Sequence, residues 1–116
     1  MDDAVLASNY VINHLSRNGI LPDATSGDGG LFHGIFFRYF VKLVNEEDLE
    51  KETRKKFRHY FTNLARTISK EEINSIIMLY GGRWREAPSD ETLVCLTPHL
   101  TGCMLMEAMC VLKPLN

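Results

Sequence analysis

Residues 31–44, LFHGIFFRYFVKLV, constrain the fold more than any other stretch. They are apolar nearly all round and hold the densest aromatic run of the chain, Phe32 to Phe40. Phe, Tyr, Ile and Val all favour strands. The run of fourteen residues is nevertheless long for a strand, so the expectation is a helix buried on most sides. Gly34, Arg38 and Lys42 fall on one stripe at i, i+4 and i+8, the polar seam of an otherwise apolar helix. Just upstream, Ser26-Gly27-Asp28-Gly29-Gly30 reads as a polar loop. A glycine-rich loop feeding an apolar segment with a few polar groups is how many sites are built, and how many ordinary buried helices begin.

The other segments are also helical in period. Residues 3–17 place Ala4, Leu6, Ala7, Tyr10, Val11, His14 and Leu15 at three- and four-residue spacing, an amphipathic helix. Asn18-Gly19 stops it, with Gly19 suited to the left-handed position. Ile20-Leu21-Pro22 is extended because the residue before a proline is pushed out of the helical region. Asn45 reads as the N-cap of a third helix to about 68, with Glu46, Glu47 and Asp48 at its positive end. Leu49, Phe57, Tyr60, Phe61, Leu64, Ala65 and Ile68 form its apolar face, and Glu50–Arg54 and Glu52–Lys56 are i, i+4 pairs on the wet side. Ser69-Lys70-Glu71-Glu72 is a capping-box sequence that predicts a short helix over 70–78. Residues 81–97 read as loop. Thr97-Pro98 opens a last helix, 98–112, with Thr as N-cap and Pro at the first helical position. Its apolar residues, Leu100, Cys103, Met104, Leu105, Met106, Ala108, Met109, Val111 and Leu112, go nearly all round.

The fold class is therefore all-α, four to five antiparallel helices in a single domain spanning 1–116. The second and last helices are too apolar for a lone small bundle, so the chain should expose apolar surface unless it packs against something more.

A net charge of −2 gives no electrostatic case for nucleic acid or an anionic membrane. Locally basic sequence between Lys51 and Arg58 is interrupted by acids and reads as a solvated helix face. No apolar run reaches transmembrane length, and Met1-Asp2-Asp3 lacks the basic start of a signal peptide. The localisation stays open. Cys95, Cys103 and Cys110 form no CxxC pair, and the last two, seven apart on a helix, read as small buried residues. His14, His33, His59 and His99 have no i, i+4 partner among themselves or with a carboxylate at ligand spacing, so no metal and no cofactor is expected. Ser26–Gly30 lacks the lysine and preceding strand of a phosphate loop. The acid pairs Asp2-Asp3, Glu46-Glu47 and Glu71-Glu72 sit at helix starts or a chain end, and none reads as catalytic. Trp84, flanked by Arg83 and Arg85, is either a lid on the bundle or an exposed ring able to stack on a sugar or a partner.

At Phe32-His33-Gly34-Ile35-Phe36-Phe37-Arg38-Tyr39 the sequence resembles glycoside hydrolase family 76, the α-1,6-mannanases, which carry a Phe-Lys-Gly-Ile-Phe-x-Arg-type segment after a loop with Asp and Gly. Asn18-Gly19-Ile20-Leu21, Phe61-Thr62-Asn63-Leu64-Ala65, Tyr80-Gly81-Gly82-Arg83-Trp84 and Leu100-Thr101-Gly102-Cys103 extend the likeness over most of the chain. The resemblance implies the C-terminal portion of a longer six-hairpin α/α toroid. Such enzymes cleave α-1,6-linked mannan with retention, using two adjacent aspartates in their N-terminal half, and are secreted or cell-surface proteins. No Asp-Asp in an aromatic context occurs here, so the resemblance implies relatedness without activity by this chain alone. The motif lysine is His33; Gly34 and Arg38 match directly and Asp28 more loosely.

The substrate-binding expectation is Asp28, His33, Arg38 and Trp84 against α-mannan or a related oligosaccharide, with self-association through the exposed apolar helices. The alternative is a standalone helical protein–protein interaction module anchored by Trp84 and the aromatic helix. A third reading completes an enzyme between subunits through Glu107 or Asp2-Asp3.

Overall fold

The computed structural model describes residues 1–17, 19, 21–22, 29–68, 73–74, 79–80 and 96–114. In chain order these form helix α1 (Asp2–Tyr10), a π turn (Val11–Leu15), helix α2 (Gly29–Val44), helix α3 (Lys51–Thr67), strands β1 (Ile73–Asn74) and β2 (Leu79–Tyr80), and helix α4 (Leu96–Val111). Consecutive helices run antiparallel. Phe37 meets the ring of Phe61 while Phe40, one turn on, meets Phe57, so α3 returns along α2. Gly34 lies against Thr101 and Met104, and Asn45 bonds at Val111 and Lys113, so α4 runs in the same direction as α2. Asn9 pairs with Lys56 and Ser16 with Tyr60, which sets α1 in the direction of α3. The expectation of four antiparallel helices holds.

The core is aromatic. Phe37, Phe57, Phe61, Leu64, Ile68 and Leu105 are fully buried, with Phe40, Val41, Val44, Leu49, Tyr60, Ala65 and Ala108 close to it. All seven residues assigned to the apolar face of α3 are in this set. The ring of Phe40 stacks on Phe36 at 5.0 Å between centroids and meets Phe57 at 5.3 Å and Phe61 at 5.5 Å.

Several local expectations are corrected. Of the stripe expected for the first helix, Val11 packs against the core, but Leu6 is 68% exposed and Tyr10 and Leu15 are also exposed. Val5, Ile12 and the buried Ser8 face the core beside Val11. Both stripes have helical spacing, and packing rather than period decides between them. α2 is not covered on most sides, since Phe32 and Tyr39 are 65% and 62% exposed and Ile35 is exposed as well. Cys103 and Cys110 are exposed free thiols, not buried ones. The expected exposed apolar surface is therefore real, and Leu96, Leu100 and Val111 of α4 add to it.

Asn45 does not cap α3. Glu50, with an extended backbone at φ −54 and ψ 137, takes that position, and Thr53 donates to its carboxylate at 2.7 Å. Asn45 instead joins the ends of α2 and α4: its Nδ2 donates to the Val111 carbonyl at 2.9 Å, and its Oδ1 accepts the Lys113 amide at 2.8 Å. The Arg54 guanidinium donates to the carbonyls of Glu46 and Glu47, not to the Glu50 carboxylate. Lys56 reaches Asn9 at 2.7 Å, and Glu52 pairs with Lys55 at 3.2 Å. The helix expected over 70–78 is corrected at 73–74 and 79–80, which pair antiparallel with Ile73 opposite Tyr80 and Asn74 opposite Leu79. The capping box itself, the 81–95 loop and Cys95 lie outside the described residues. α4 begins at Leu96, ahead of the expected Thr97-Pro98 start. Gly19 does adopt positive φ, at 76, although the first helix has already ended at Ser16.

The π turn links α1 to the core. Ser16 donates twice to the Val11 carbonyl, through its amide and its hydroxyl, both at 3.0 Å. The same hydroxyl lies 2.7 Å from the Tyr60 hydroxyl. Burial pushes the Tyr60 pKa up, and the Ser16 hydrogen bond acts more weakly in the other direction. A raised phenol pKa means that the folded chain keeps its proton where the unfolded chain has lost it. The Tyr60 contribution is thus complete below the ordinary value of about 10 and is lost as pH rises through the folded value. Tyr60→Phe should cost about 1 kcal/mol at neutral pH, the worth of one hydrogen bond. It should also flatten the fall in stability at alkaline pH, as read by urea unfolding of both proteins on either side of that threshold.

Candidate functional site

The stripe Gly34, Arg38, Lys42 lies along the boundary between α2 and α4. Arg38 and Lys42, with Val41 and Asn45 of the same chain segment, line a cavity of about 150 Å³ closed on the other side by Met104, Glu107, Ala108 and Val111. At its head the two helices come so close that a Cβ on Gly34 would lie 2.7 Å from Met104 Sδ and 3.0 Å from Thr101 Oγ1. Glycine is needed there for contact, which a side chain would prevent. The groove floor is apolar, from the buried Val41 and Ala108. Its rim carries two cations from α2 and one carboxylate from α4.

Lys42 also lies 5.2 Å from the centre of the exposed Tyr39 ring, so an aromatic ring adjoins one of the rim cations. That mixture suits a polyhydroxyl ligand, whose C–H face packs on a ring while its hydroxyls accept from cationic N–H groups. A second, more open cavity of about 520 Å³ adjoins it, lined by Lys42, Asn45, Glu46, Glu47, Asp48 and Lys113. Glu46-Glu47, one of the acid pairs of the sequence, is thus exposed on the wall of an open hollow beside two lysines. Asp2-Asp3 is exposed in the first turn of α1.

His33 is half-buried and Arg38 exposed. Five residues apart on a helix, they project about 140° from one another around its axis, and only Arg38 is on the groove. Asp28 and Trp84 lie outside the described residues. Sequence reasoning did not reach Glu107 as a groove residue. Glu107 was visible as the sole acid of the last helix. Its place opposite Arg38 and Lys42 depends on α2 and α4 running side by side, which no local pattern encodes.

No protein-family model matches the chain, and no curated protein does. Solved structures do. The chain superposes on the GH76A α-1,6-mannanase from Salegentibacter sp. HEL1_6 with a TM-score of 0.88 and 36% identity, over 97% of this chain and 33% of that one. An inactive variant of that enzyme with two aspartates replaced by asparagine, solved with α-1,6-mannotriose, matches with a TM-score of 0.88 at 35% identity over the same shares. The Lin0763 protein from Listeria innocua matches with a TM-score of 0.79 at 28% identity, over 94% of this chain and 30% of that one. The chain spans about a third of the length of the solved proteins it matches. Its four helices have the architecture of a stretch of a GH76-type α/α toroid, and the resemblance seen in the sequence holds in three dimensions. No helix among the described residues is long and apolar enough to cross a membrane.

The close approach at Gly34 is testable directly. Gly34→Val should destabilise the chain by roughly 1–3 kcal/mol, the usual cost of overpacking. Met104 can swing aside, but Thr101 is fully buried. Gly34→Ala should cost less than Gly34→Val, because alanine regains up to about 1 kcal/mol of helix propensity. Urea denaturation of the two variants beside Arg38→Ala, an exposed control, measures the order.

Proposed function

We propose that this chain, taken as one helical domain over residues 1–116, serves as the C-terminal portion of a GH76-like glycoside hydrolase acting on α-1,6-linked mannan. The single observation that carries this reading is the match to the Salegentibacter mannanase at 36% identity and TM-score 0.88 across nearly all of this chain. That protein is an α-1,6-mannanase, and its inactive variant was solved with α-1,6-mannotriose. The role assigned to this chain is substrate contact, with Asp28, His33, Arg38 and Trp84 as the contacting residues and no catalytic group of its own. Support for Arg38 is its place on the α2–α4 groove beside Lys42. The chain carries no Asp-Asp pair among aromatic residues, and its only adjacent aspartates, Asp2-Asp3, are exposed on α1.

Titration of the chain with α-1,6-mannotriose should change the fluorescence of Trp84, the only tryptophan, with saturation in the millimolar range that weak sugar sites show, around −4 kcal/mol. Arg38→Ala should weaken that response. A flat titration at millimolar sugar overturns the carbohydrate reading and leaves the protein–protein module as the better one.

Self-association belongs to the same proposal, supported by the row of exposed apolar side chains at Phe32, Ile35, Tyr39, Leu96 and Leu100. Removing such surface from water is worth about 25 cal/mol per Å². Sedimentation equilibrium should show a concentration-dependent rise in mass, and Ile35→Lys with Leu100→Lys should return the chain to monomer. A monomer at every concentration overturns it.

A further inference from the structure

We propose that the groove between α2 and α4 holds a single sugar unit, with Glu107 accepting from one hydroxyl while Arg38 donates to a neighbouring one. The proposal rests on the carbohydrate reading above and adds to it the place of contact and Glu107 as a binding residue. Arg38 stands on the α2 wall and Glu107 on the α4 wall of one cavity of about 150 Å³. Opposite charges so placed would ordinarily close on each other. Here neither takes part in a hydrogen bond or an ion pair among the described residues. Lys42 makes none there either, its ammonium lying over the Tyr39 ring. A guanidinium only donates and an ionised carboxylate only accepts, whereas a hydroxyl does both. Two neighbouring hydroxyls of one sugar ring therefore satisfy both walls at once, each through a charge-assisted hydrogen bond.

An ion fits less well. An anion drawn to Arg38 and Lys42 meets Glu107 across the groove and Glu46, Glu47 and Asp48 in the hollow beside it. A cation drawn to Glu107 meets Arg38 and Lys42 on the facing wall. A neutral ligand that carries both donors and acceptors escapes both repulsions. The buried Val41 and Ala108 beneath offer no polar side-chain group, so they suit the C–H face of a sugar ring. Size limits the occupant further. The cavity is smaller than the roughly 300–1,000 Å³ of pockets that enclose drug-sized ligands, so it takes one ring and leaves the rest of an oligosaccharide outside. The close approach of Gly34 to Met104 and Thr101 fixes the two helices at the head of the groove. Binding then orders little beyond the two exposed charges, which keeps its entropic cost low.

Met104 lines the groove and supplies a local probe. The full chain labelled with methyl-13C methionine is titrated with α-1,6-mannotriose, and the Met104 signal, assigned through Met104→Leu, is followed beside Trp84 fluorescence. The Met104 methyl should shift and saturate with the same midpoint as Trp84. Glu107→Ala should weaken binding about tenfold or more, the worth of one hydrogen bond to a charged group. Glu107→Gln should recover part of that loss, because its amide oxygen still accepts. Both residues are exposed, and circular dichroism of each variant checks that the helices are intact. Inorganic phosphate at the same concentration should leave Met104 unmoved. A Trp84 response with a still Met104 methyl, or with unchanged affinity in Glu107→Ala, overturns the groove and leaves the carbohydrate reading standing. No response of either probe to the sugar overturns both. A Met104 shift with phosphate that competes with the sugar makes the groove an anion site and overturns the assignment.

Discussion

The aromatic knot around Phe40 is the contact on which the rest of the molecule depends. Its ring stacks on Phe36 within α2 and meets Phe57, Tyr60 and Phe61 of α3, with centroids between 5.0 and 6.2 Å. Burying each such ring is worth roughly 1.5–3 kcal/mol, and a favourable ring pair adds about 0.5–1.5 kcal/mol. The ring contacts that join α2 to α3 run through Phe37 and Phe40. Two other contacts hang from this knot. Tyr60 belongs to the knot by its ring and holds Ser16 by its hydroxyl, so α1 is secured through the same residue. Phe37 and Val41, on the flanks of Phe40, set the rotation of α2 that turns Gly34 and Arg38 toward α4.

A second constraint acts where helix ends meet. The carbonyls left open at the C-terminal ends of α2 and α4 need donors, and the partial negative charge there favours cations. Arg54 donates to Glu46 and Glu47 just past α2, and Arg58 donates to Lys113 just past α4. Asn45 bridges the two ends with its amide. The basic face of α3 is therefore more than a solvated surface: two of its arginines close the ends of the neighbouring helices. Charge alternation along the sequence suggests i, i+4 pairs on that face, but a guanidinium gains more from unsatisfied carbonyls than from an exposed carboxylate, where median pair energies are about 0–1 kcal/mol.

What was legible in the sequence follows the range of the forces. Segments of strong period, 31–44 and 98–112, became helices close to their expected bounds, while the helix expected from Asn45 to about 68 begins only at Lys51. The inward face of α3 was readable because its apolar residues form one stripe. On α1 two apolar stripes compete, and the choice of Val5 and Ile12 over Leu6 and Tyr10 is made by the partners they meet. Asn45 shows the same limit in polar chemistry. An asparagine after a helical run can cap the next helix or the end of another, and only the fold decides. At the groove, the Arg38–Lys42 row was visible from its spacing. Glu107 and Met104 on the opposite wall were not, because the pairing of α2 with α4 joins residues more than sixty positions apart.

The direction of the helices explains the surface they leave. α1 and α3 run one way and α2 and α4 the other, so the chain repeats a pair of antiparallel helices, as the α/α toroids it resembles do. Each pair buries apolar side chains against the pair beside it, and a row of two pairs leaves one open flank at each end. Leu6, Tyr10 and Leu15 are exposed on the first helix, and Leu96, Leu100 and Val111 on the last. Exposure there is not a failure of the amphipathic pattern. It is what a repeating architecture produces at its edges, where one more neighbour would complete the burial. The nearly uniform apolar character of α4, which argued in the sequence for a helix enclosed on every side, is matched by burial on one side only: Thr101, Leu105 and Ala108 are buried, while Leu96 and Leu100 are exposed.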